Sequence, residues 1–294
     1  MKNLNIKELR VTQKIQLSEI PTRIEVDKDH SEIKNKLKKV RHQLSKIQDK
    51  MYAHNKYSVL VCLQGMDTAG KDSLIREVFK EINPRGVVVQ SFKTPTSAEL
   101  KHDFLWRHYI ALPERGKIGV FNRTHYENVL VTRVHPEYIL NENIPTILSV
   151  DDIPENFWQE RMQNINNFEQ HISESGTIVL KFFLHLSKEE QRERLLRRLE
   201  KEKHNWKFSP GDLHERNHWD EYQHYYEEVL NTTSKEKAPW FIIPADDKEL
   251  ARYIVGKIIL KELEKHTDIQ NPTLDEEVQD NIKKYKKILS ESND

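Results

Sequence analysis

The segment Gly65-Met66-Asp67-Thr68-Ala69-Gly70-Lys71-Asp72-Ser73 combines residue types that can hold a polyanion. Two glycines let the backbone curl so that successive N–H groups point inward at phosphate oxygens. A helix opening behind them adds partial positive charge at its N-terminus. Lys71 would bridge oxygens of a transferring phosphate. The chain has only eight glycines, and two of them stand at this spacing directly before a lysine. Gly65, Met66, Thr68, Ala69, Gly70, Asp72 and Ser73 are therefore expected to line the ligand. The loop departs from its common form at one point: the Ser or Thr that usually follows the Lys is Asp72, with Ser73 next. A carboxylate beside a polyphosphate is repelled unless a cation lies between them, so Asp67 and Asp72 argue for a metal-dependent site. Asp72 also fits as a plain acid at a helix N-terminus, favoured there by the dipole.

A second constellation, Phe121-Asn122-Arg123-Thr124-His125-Tyr126-Glu127-Asn128, ends an apolar run. Ligand groups in open α/β sheets sit at the carboxyl ends of strands, so these residues should face the loop across a crevice. An Asp commonly stands here for the metal; this chain offers Asn122, with Glu127 as its substitute, so Asp67, Asn122 and Glu127 are the expected metal ligands. Arg123 can grip a phosphate with two parallel bonds. Further on, Arg192, Arg194, Arg197 and Arg198 crowd one helix, ahead of Lys201, Lys203 and Lys207. Arg194 and Arg198 are four residues apart and share a face. Local sequence leaves open whether they serve the site or pair with the neighbouring glutamates on a solvated face. Leu195, Leu196 and Leu199 are the expected packing stripe. Lys93, Lys101, Arg107 and Arg133 follow strand ends or helices near the crevice and are candidates to line an anion channel. His125 is the one histidine of 14 placed near the crevice, and no zinc spacing is present. Cys62 reads as a core residue, and Trp106, Trp158, Trp206 and Trp219 as core or hinge anchors.

These groups need a scaffold that brings two strand ends together. Residues 31–56 carry Ile33, Leu37, Val40, Leu44 and Ile47 at helical spacing, an amphipathic helix ahead of the core. Residues 57–64 form a short unbroken apolar run, the pattern of a strand buried on both faces. A helix through Leu74, Ile75, Val78, Phe79 and Ile82 stops at Asn83-Pro84. Strands follow at 86–92, 117–121, 177–186 and 239–244, with helices expected from Ser97 to about Leu112, from about Ile153 to Glu174, and over 248–265. Strand and helix alternate, which predicts a five-stranded parallel sheet with helices on both faces. Residues 187–235 are too long and too charged for a plain crossover and suit a helical lid, broken at Ser209-Pro210-Gly211. The organisation is thus an N-terminal extension (1–56), a core (57–265) that includes the lid, and a charged helical tail (266–294).

Composition narrows the class. Lys plus Arg and Asp plus Glu both number 47 among 294 residues, so bulk charge gives no case for nucleic acid or membrane binding, and any anion site must arise by local clustering. A single cysteine excludes an internal disulfide and fits a reducing compartment. No apolar run approaches membrane-spanning length, and the first residues lack the apolar stretch of a signal peptide. A cytoplasmic protein is expected.

With these segments in view, the chain resembles the polyphosphate kinase 2 family over about residues 35–262. The resemblance rests on LQGMDTAGKDSLIREVFKEINPRGVVVQSFKTPT, HDFLWRHYIALPERGKIGVFNRTHYENVLV, WKFSPGDLHERNHWDEY and APWFIIPADDK, in that order. It is greatest to the branch acting on nucleoside mono- and diphosphates, which carries Asn in the third-strand motif. It implies a three-layer α/β/α P-loop kinase fold with a helical lid, similar to thymidylate kinases. It also implies transfer of a terminal phosphoryl group from inorganic polyphosphate to AMP or ADP, with Mg²⁺ or Mn²⁺ as cofactor. By position, Asp67, Gly70, Lys71, Asn122, Arg123, Arg194 and Arg198 correspond to the family's motif residues. Asn128 stands where an Asp is expected beside Glu127. The base, adenine or guanine, is left open, and a homo-oligomer (dimer or tetramer) is implied. Nothing local to the loop identifies the donor, so an ATP-dependent nucleoside monophosphate kinase and a non-catalytic nucleotide- or polyphosphate-binding regulator stay as alternatives.

Overall fold

The apolar run Ser58–Gln64 (β1) is buried at every position because it lies mid-sheet, with a parallel neighbour on each side. The computed structural model describes residues 5–26, 29–200 and 210–291. The sheet has five strands in the order β2-β3-β1-β4-β5, with β2 Val87–Ser91, β3 Ile118–Asn122, β4 Thr177–His185 and β5 Trp240–Pro244. All pairs are parallel; Val59 stands opposite Ile118 on one side and Ile178 on the other. The expected sheet is therefore present.

Alternation along β1 divides the core. Val59, Val61 and Leu63 point to one face, where the helices His30–His54 (α1), Lys71–Val78 (α2) and Lys248–Leu263 (α9) cover them. Leu60 and Cys62 point to the other, against Phe168 and Ile172 of Phe157–Glu174 (α5). Beside them, Glu127–Val134 (α4) and Trp219–Thr233 (α8) bury Val129, Leu130, Tyr222 and Tyr226. That completes three layers. The expected α1 stripe faces α9 with Ile33, Leu37, Val40 and Leu44 buried, while Ile47 is half-buried. The two helices approach closely at Gly256, where a Cβ would stand 3.3 Å from Leu37 and Val40 methyls.

Residues ahead of α1 form an extended arm rather than more helix. Val11 N–H donates to the Trp240 carbonyl at 2.9 Å and Ile242 N–H to the Leu9 carbonyl at 2.8 Å, so the arm runs antiparallel along β5 and covers that sheet edge. At the opposite edge, β2 is largely exposed. The helix expected from Ser97 to Leu112 is instead a 3-10 turn, Glu99–Lys101, and a single turn, Trp106–Tyr109 (α3). Thr96 and Glu99 cap one another reciprocally, and Asp103 accepts from Leu105 N–H, so two local caps interrupt what the pattern suggests is continuous. The eight-residue α4 is not anticipated, because Val129, Val131, Thr132 and Val134 are β-branched and resemble a strand. In the 187–235 segment, Lys188–Glu200 (α6), Pro210–Asn217 (α7) and α8 are helical. Lys201, Lys203, Trp206, Lys207 and Ser209 lie outside the described residues. The predicted leucine stripe of α6 is corrected: Gln191, Arg194 and Leu195 are buried, and Leu196 and Leu199 face outward. The helix is rotated to bury a guanidinium. The tail forms an exposed helix, Glu276–Glu291 (α10).

One buried polar network joins the layers. Lys181 on β4 is fully buried, with Nζ 2.5 Å from Glu169 Oε2, 2.8 Å from Tyr126 Oη and 2.7 Å from the Thr233 carbonyl. Glu169 Oε1 also accepts from Tyr126 Oη at 2.8 Å and lies 3.0 Å from His125 Nε2. Burial pushes the Glu169 carboxyl up, but Lys181 and His125 outweigh it and hold it below the usual carboxylate range. Burial likewise depresses Lys181 and His125. Replacing Glu169 by Gln strands the Lys181 ammonium in the core, and we expect a loss of about 3–5 kcal/mol, read from the urea midpoint. The apolar pair Glu169→Leu with Lys181→Met should lose less than Glu169→Gln alone.

Candidate active site

β1 delivers its last side chains into the loop 65–70, and α2 begins directly at Lys71. The turn is tight. Gly65 has φ +149°, and a Cβ there would meet the Leu184 carbonyl at 2.9 Å, so β4 presses on the loop from behind. Thr68 sits at φ 65° and Gly70 at φ 106°, both left-handed backbone, and the Ala69 N–H donates to the Met66 carbonyl at 3.1 Å across the turn. Gly70 is the N-cap residue of α2. Lys71 folds back over the loop: its Nζ donates to the Gly65 carbonyl at 2.6 Å and to the Met66 carbonyl at 3.4 Å. Burial and then the Arg123 charge lower its pKa, opposed by Asp67, Glu127 and Asp72. Ser73 Oγ donates to the Gly70 carbonyl at 2.9 Å, closing the first turn of α2.

β3 ends beside this loop, and two side-chain bridges tie them together. Asn122 Nδ2 donates to Asp72 Oδ1 at 2.8 Å and Ser91 Oγ at 3.3 Å, while Asn122 Oδ1 is buried with no hydrogen-bond partner. Arg123, at φ 58°, donates to Asp67 Oδ1 at 2.9 Å and has Glu127 Oε2 at 3.7 Å. The carboxylates of Glu127 and Asp67 raise its pKa, so the guanidinium is locked in its charged form. Below, Gln64 Nε2 donates to Thr124 Oγ1 at 3.1 Å, and the adjacent His125 belongs to the Glu169 network. Asn128 is also turned inward, donating to the His125 carbonyl at 2.9 Å.

The third component is α6. Gln191 Nε2 donates to the Asp67 carbonyl at 3.1 Å and is itself held by Arg216 Nη1 at 2.6 Å. Arg194 is 5% exposed and reaches under the loop. Its guanidinium donates to the carbonyls of Thr68 (3.1 Å), Ala69 (3.0 Å), Ala245 (2.6 Å) and Asp246 (3.0 Å), and Nε to Glu190 (2.8 Å). All five N–H donors are engaged, so this arginine braces the loop from its outer side. Arg198 lies one turn further along α6, half-buried. Arg197 donates to Glu190 at 2.8 Å.

Site residues expected from sequence thus separate into two groups. Gly65 to Ser73, Asn122, Arg123, Glu127 and Arg194 meet in one place. Lys93 is exposed at the end of β2, and its carbonyl accepts from Arg107, which is buried over Phe92. Arg133 pairs with Glu228 at 2.7 Å and lies over the Tyr225 ring at 4.4 Å, binding α4 to α8. Sequence reasoning missed Gln191, Arg216 and Glu169. The first carried a signal: Gln191, Arg194, Leu195 and Arg198 share one helical face, and three polar members among them mark a face packed on backbone.

The oxygen set of Asp67, Asp72, Glu127 and Asn122 Oδ1 suits a hard divalent cation that draws its remaining ligands from water and substrate phosphates. The orphaned, buried Asn122 oxygen is the observation that fits it. Among the described residues no three His, Cys, Asp or Glu side chains converge tightly enough to hold a metal alone.

Similarity to known proteins agrees with this geometry. The sequence profile of the family Polyphosphate kinase 2 (PPK2) matches residues 26–271. An ADP-polyphosphate phosphotransferase of Rhodopseudomonas palustris is 46% identical over 264 residues, covering 89% of this chain and 90% of that protein. An AMP/ADP-polyphosphate phosphotransferase of Meiothermus ruber is 44% identical over 222 residues, covering 76% and 78%. The crystal structure of Polyphosphate Kinase 2 from Arthrobacter aurescens TC1 superposes with a TM-score of 0.83 at 34% identity, covering 92% of each chain. The fold is that of the P-loop kinases, and the chain belongs to the polyphosphate kinase 2 family.

Proposed function

We propose that this protein transfers the terminal phosphoryl group of inorganic polyphosphate to AMP or ADP, reversibly, at the crevice between the loops after β1 and β3. The observation that carries this reading is the charge arrangement there: Lys71 in a curled backbone nest, faced by Arg123 held between Asp67 and Glu127. The acceptor is a phosphate oxygen, already largely anionic at neutral pH because the second phosphate pKa is about 6. No general base is required, and His125 is engaged by Glu169 within the core instead. Catalysis then reduces to in-line positioning and charge neutralisation.

The loop N–H groups and Lys71 take the donor phosphates. Arg123, 47% exposed, presents its remaining N–H groups to the same anion. Asp67, Asp72, Asn122 and Glu127 are the residues that would hold Mg²⁺, or Mn²⁺ in its place. When bound, such a cation would offset negative charge on the donor phosphates. Arg194 maintains the loop's curvature, and Arg198 is the lid arginine assigned to the transferring group. In this reading residues 187–235 act as a lid on the 57–265 body. The setting is the reducing cytoplasm, which the free thiol of buried Cys62 suits. The base is adenine or guanine, and the assembly a dimer or tetramer.

Supplying AMP or ADP, Mg²⁺ and long-chain polyphosphate should yield ATP, with binding that weakens steeply as salt rises. Formation of ADP only when ATP and AMP are supplied would favour an ordinary nucleotide kinase, and no product from either donor a regulator. Lys71→Ala should lower kcat on the order of 10³-fold or more; undiminished turnover would defeat the assignment. Arg194→Lys keeps the charge but loses the fork that joins four carbonyls, and should cost roughly 10²-fold in kcat with little change in KM.

A further inference from the structure

Away from the phosphate crevice, three histidines gather where α7 and α8 meet the end of α4. His135 is the C-cap residue of α4, His214 lies on α7, and His218 is the N-cap residue of α8. Their ring centres stand 5.3 Å apart for His135–His218, 5.4 Å for His214–His218 and 6.2 Å for His135–His214. Two imidazoles on one tetrahedral zinc have centres about 5 Å apart, given a Zn–N length of about 2.0–2.1 Å. The expected lack of zinc spacing is corrected here: His214 and His218 are four residues apart, and the fold brings the third ring from α4. Carboxylates hold the outer nitrogens of two rings. Glu215 Oε1 lies 3.0 Å from His135 Nε2, with Glu215 Oε2 accepting from Tyr222 Oη at 2.6 Å, and Glu221 Oε1 lies 2.8 Å from His218 Nδ1. A carboxylate accepts, so in the neutral rings these nitrogens carry the protons, leaving lone pairs on His135 Nδ1 and His218 Nε2. Metal-bound imidazoles are oriented in this way, with the second N–H given to a carboxylate. Glu137 Oε1 faces the His135 Nδ1 lone pair at 3.7 Å, and neither atom can donate to the other. A cation between them would relieve that pairing.

We propose that His135, His214 and His218 form a binding site for one divalent transition-metal ion of the zinc type, with Glu137 or water as fourth ligand. The rings have the separations such a site needs, but their nitrogens do not yet converge tightly enough to hold the ion. Binding therefore turns side chains, and His214 is the one that moves. It is exposed and makes no hydrogen bond or ion pair among the described residues, so no polar bond fixes its ring. Imidazole ligands select zinc, nickel or copper over magnesium, which separates this site chemically from the oxygen set of the crevice. The ion would act as a clamp. Between His214 and His218 stands Arg216, which donates to the Lys188 carbonyl at 2.8 Å and to Gln191 Oε1 at 2.6 Å. Gln191 in turn donates to the Asp67 carbonyl. An ion joining α7 to α4 thus fixes the segment through which the phosphate loop is held. No ligand of the ion belongs to the crevice, so the proposal stands whether or not polyphosphate is the donor.

Calorimetric titration of the untagged full chain with Zn²⁺, in excess Mg²⁺ and without nucleotide or polyphosphate, tests it. A single equivalent should bind per chain, with an affinity that falls below about pH 6 as the imidazoles take up protons. His135→Ala, His214→Ala and His218→Ala should each lower the affinity by at least about tenfold, and Glu221→Gln by about tenfold. His214→Ala removes an exposed side chain, so its loss of binding cannot come from misfolding. Asp67→Asn in the crevice and His171→Ala on the exposed side of α5 should bind as the parent does. Zn²⁺ should also raise the melting midpoint of the parent by several degrees and slow amide exchange across α7, and do neither in His135→Ala. Binding that survives His135→Ala undiminished would reduce the site to the helical pair and overturn the proposal. Loss of binding in Asp67→Asn, or no binding to the parent, would overturn it equally.

Discussion

A loop that cradles phosphates must hold several residues in a backbone conformation that chains ordinarily avoid, and something must keep it there. In this protein that restraint is the Arg194 guanidinium. It joins the carbonyls of Thr68 and Ala69 to those of Ala245 and Asp246, while its own helix is tied to the Asp67 carbonyl through Gln191. One planar cation therefore links the loop after β1, the turn after β5 and the helix α6. Because the Thr68 and Ala69 carbonyls share their planar peptides with the Ala69 and Gly70 N–H groups, fixing the carbonyls fixes the orientation of those N–H groups. The position of α6 and the curvature of the loop become a single mechanical variable.

The other strand end is anchored by a different means. The β3–α4 segment carries Asn122 and Arg123 into the crevice on its exposed side and His125 and Tyr126 into the core on the other. Glu169 receives both of the latter and is neutralised by Lys181. A buried ion pair of this sort contributes little to stability over an apolar equivalent, but it fixes where the segment sits. The crevice thus has one wall set by carbonyl clamping and one set by a carboxylate, with Asn122–Asp72 and Arg123–Asp67 spanning the gap.

The strands were legible because short runs rich in apolar and β-branched residues, alternating with helical segments, admit few other interpretations, and Gly65 to Lys71 because two scarce glycines precede a lysine. The region 97–112 was not: Thr96, Glu99 and Asp103 are capping residues whose effect depends on local hydrogen bonds rather than on hydrophobic period. α4 was hidden by β-branched residues that tertiary packing overrides. Arg194 was legible as important but not in its manner of acting. Sequence marks a cation on a helix face and is silent on whether the anion it meets is a phosphate or a set of peptide carbonyls. Gln191 and Glu169 act through partners more than a hundred and about forty residues away, distances no local pattern encodes.

The arm along β5 has a bearing on how the chain is made. Arg10 donates to the Glu236 carbonyl, and Leu9 and Val11 bond to Ile242 and Trp240, so the arm settles against a strand completed more than two hundred residues after it. Until β5 has left the ribosome the arm has no sheet edge to join, and until the arm joins, the last strand keeps a bare row of amides. Closure of so long a loop is slow, and open edges invite pairing with other chains. The interval between emergence of β5 and capture of the arm is therefore the stage at which nascent chains are most exposed to aggregation.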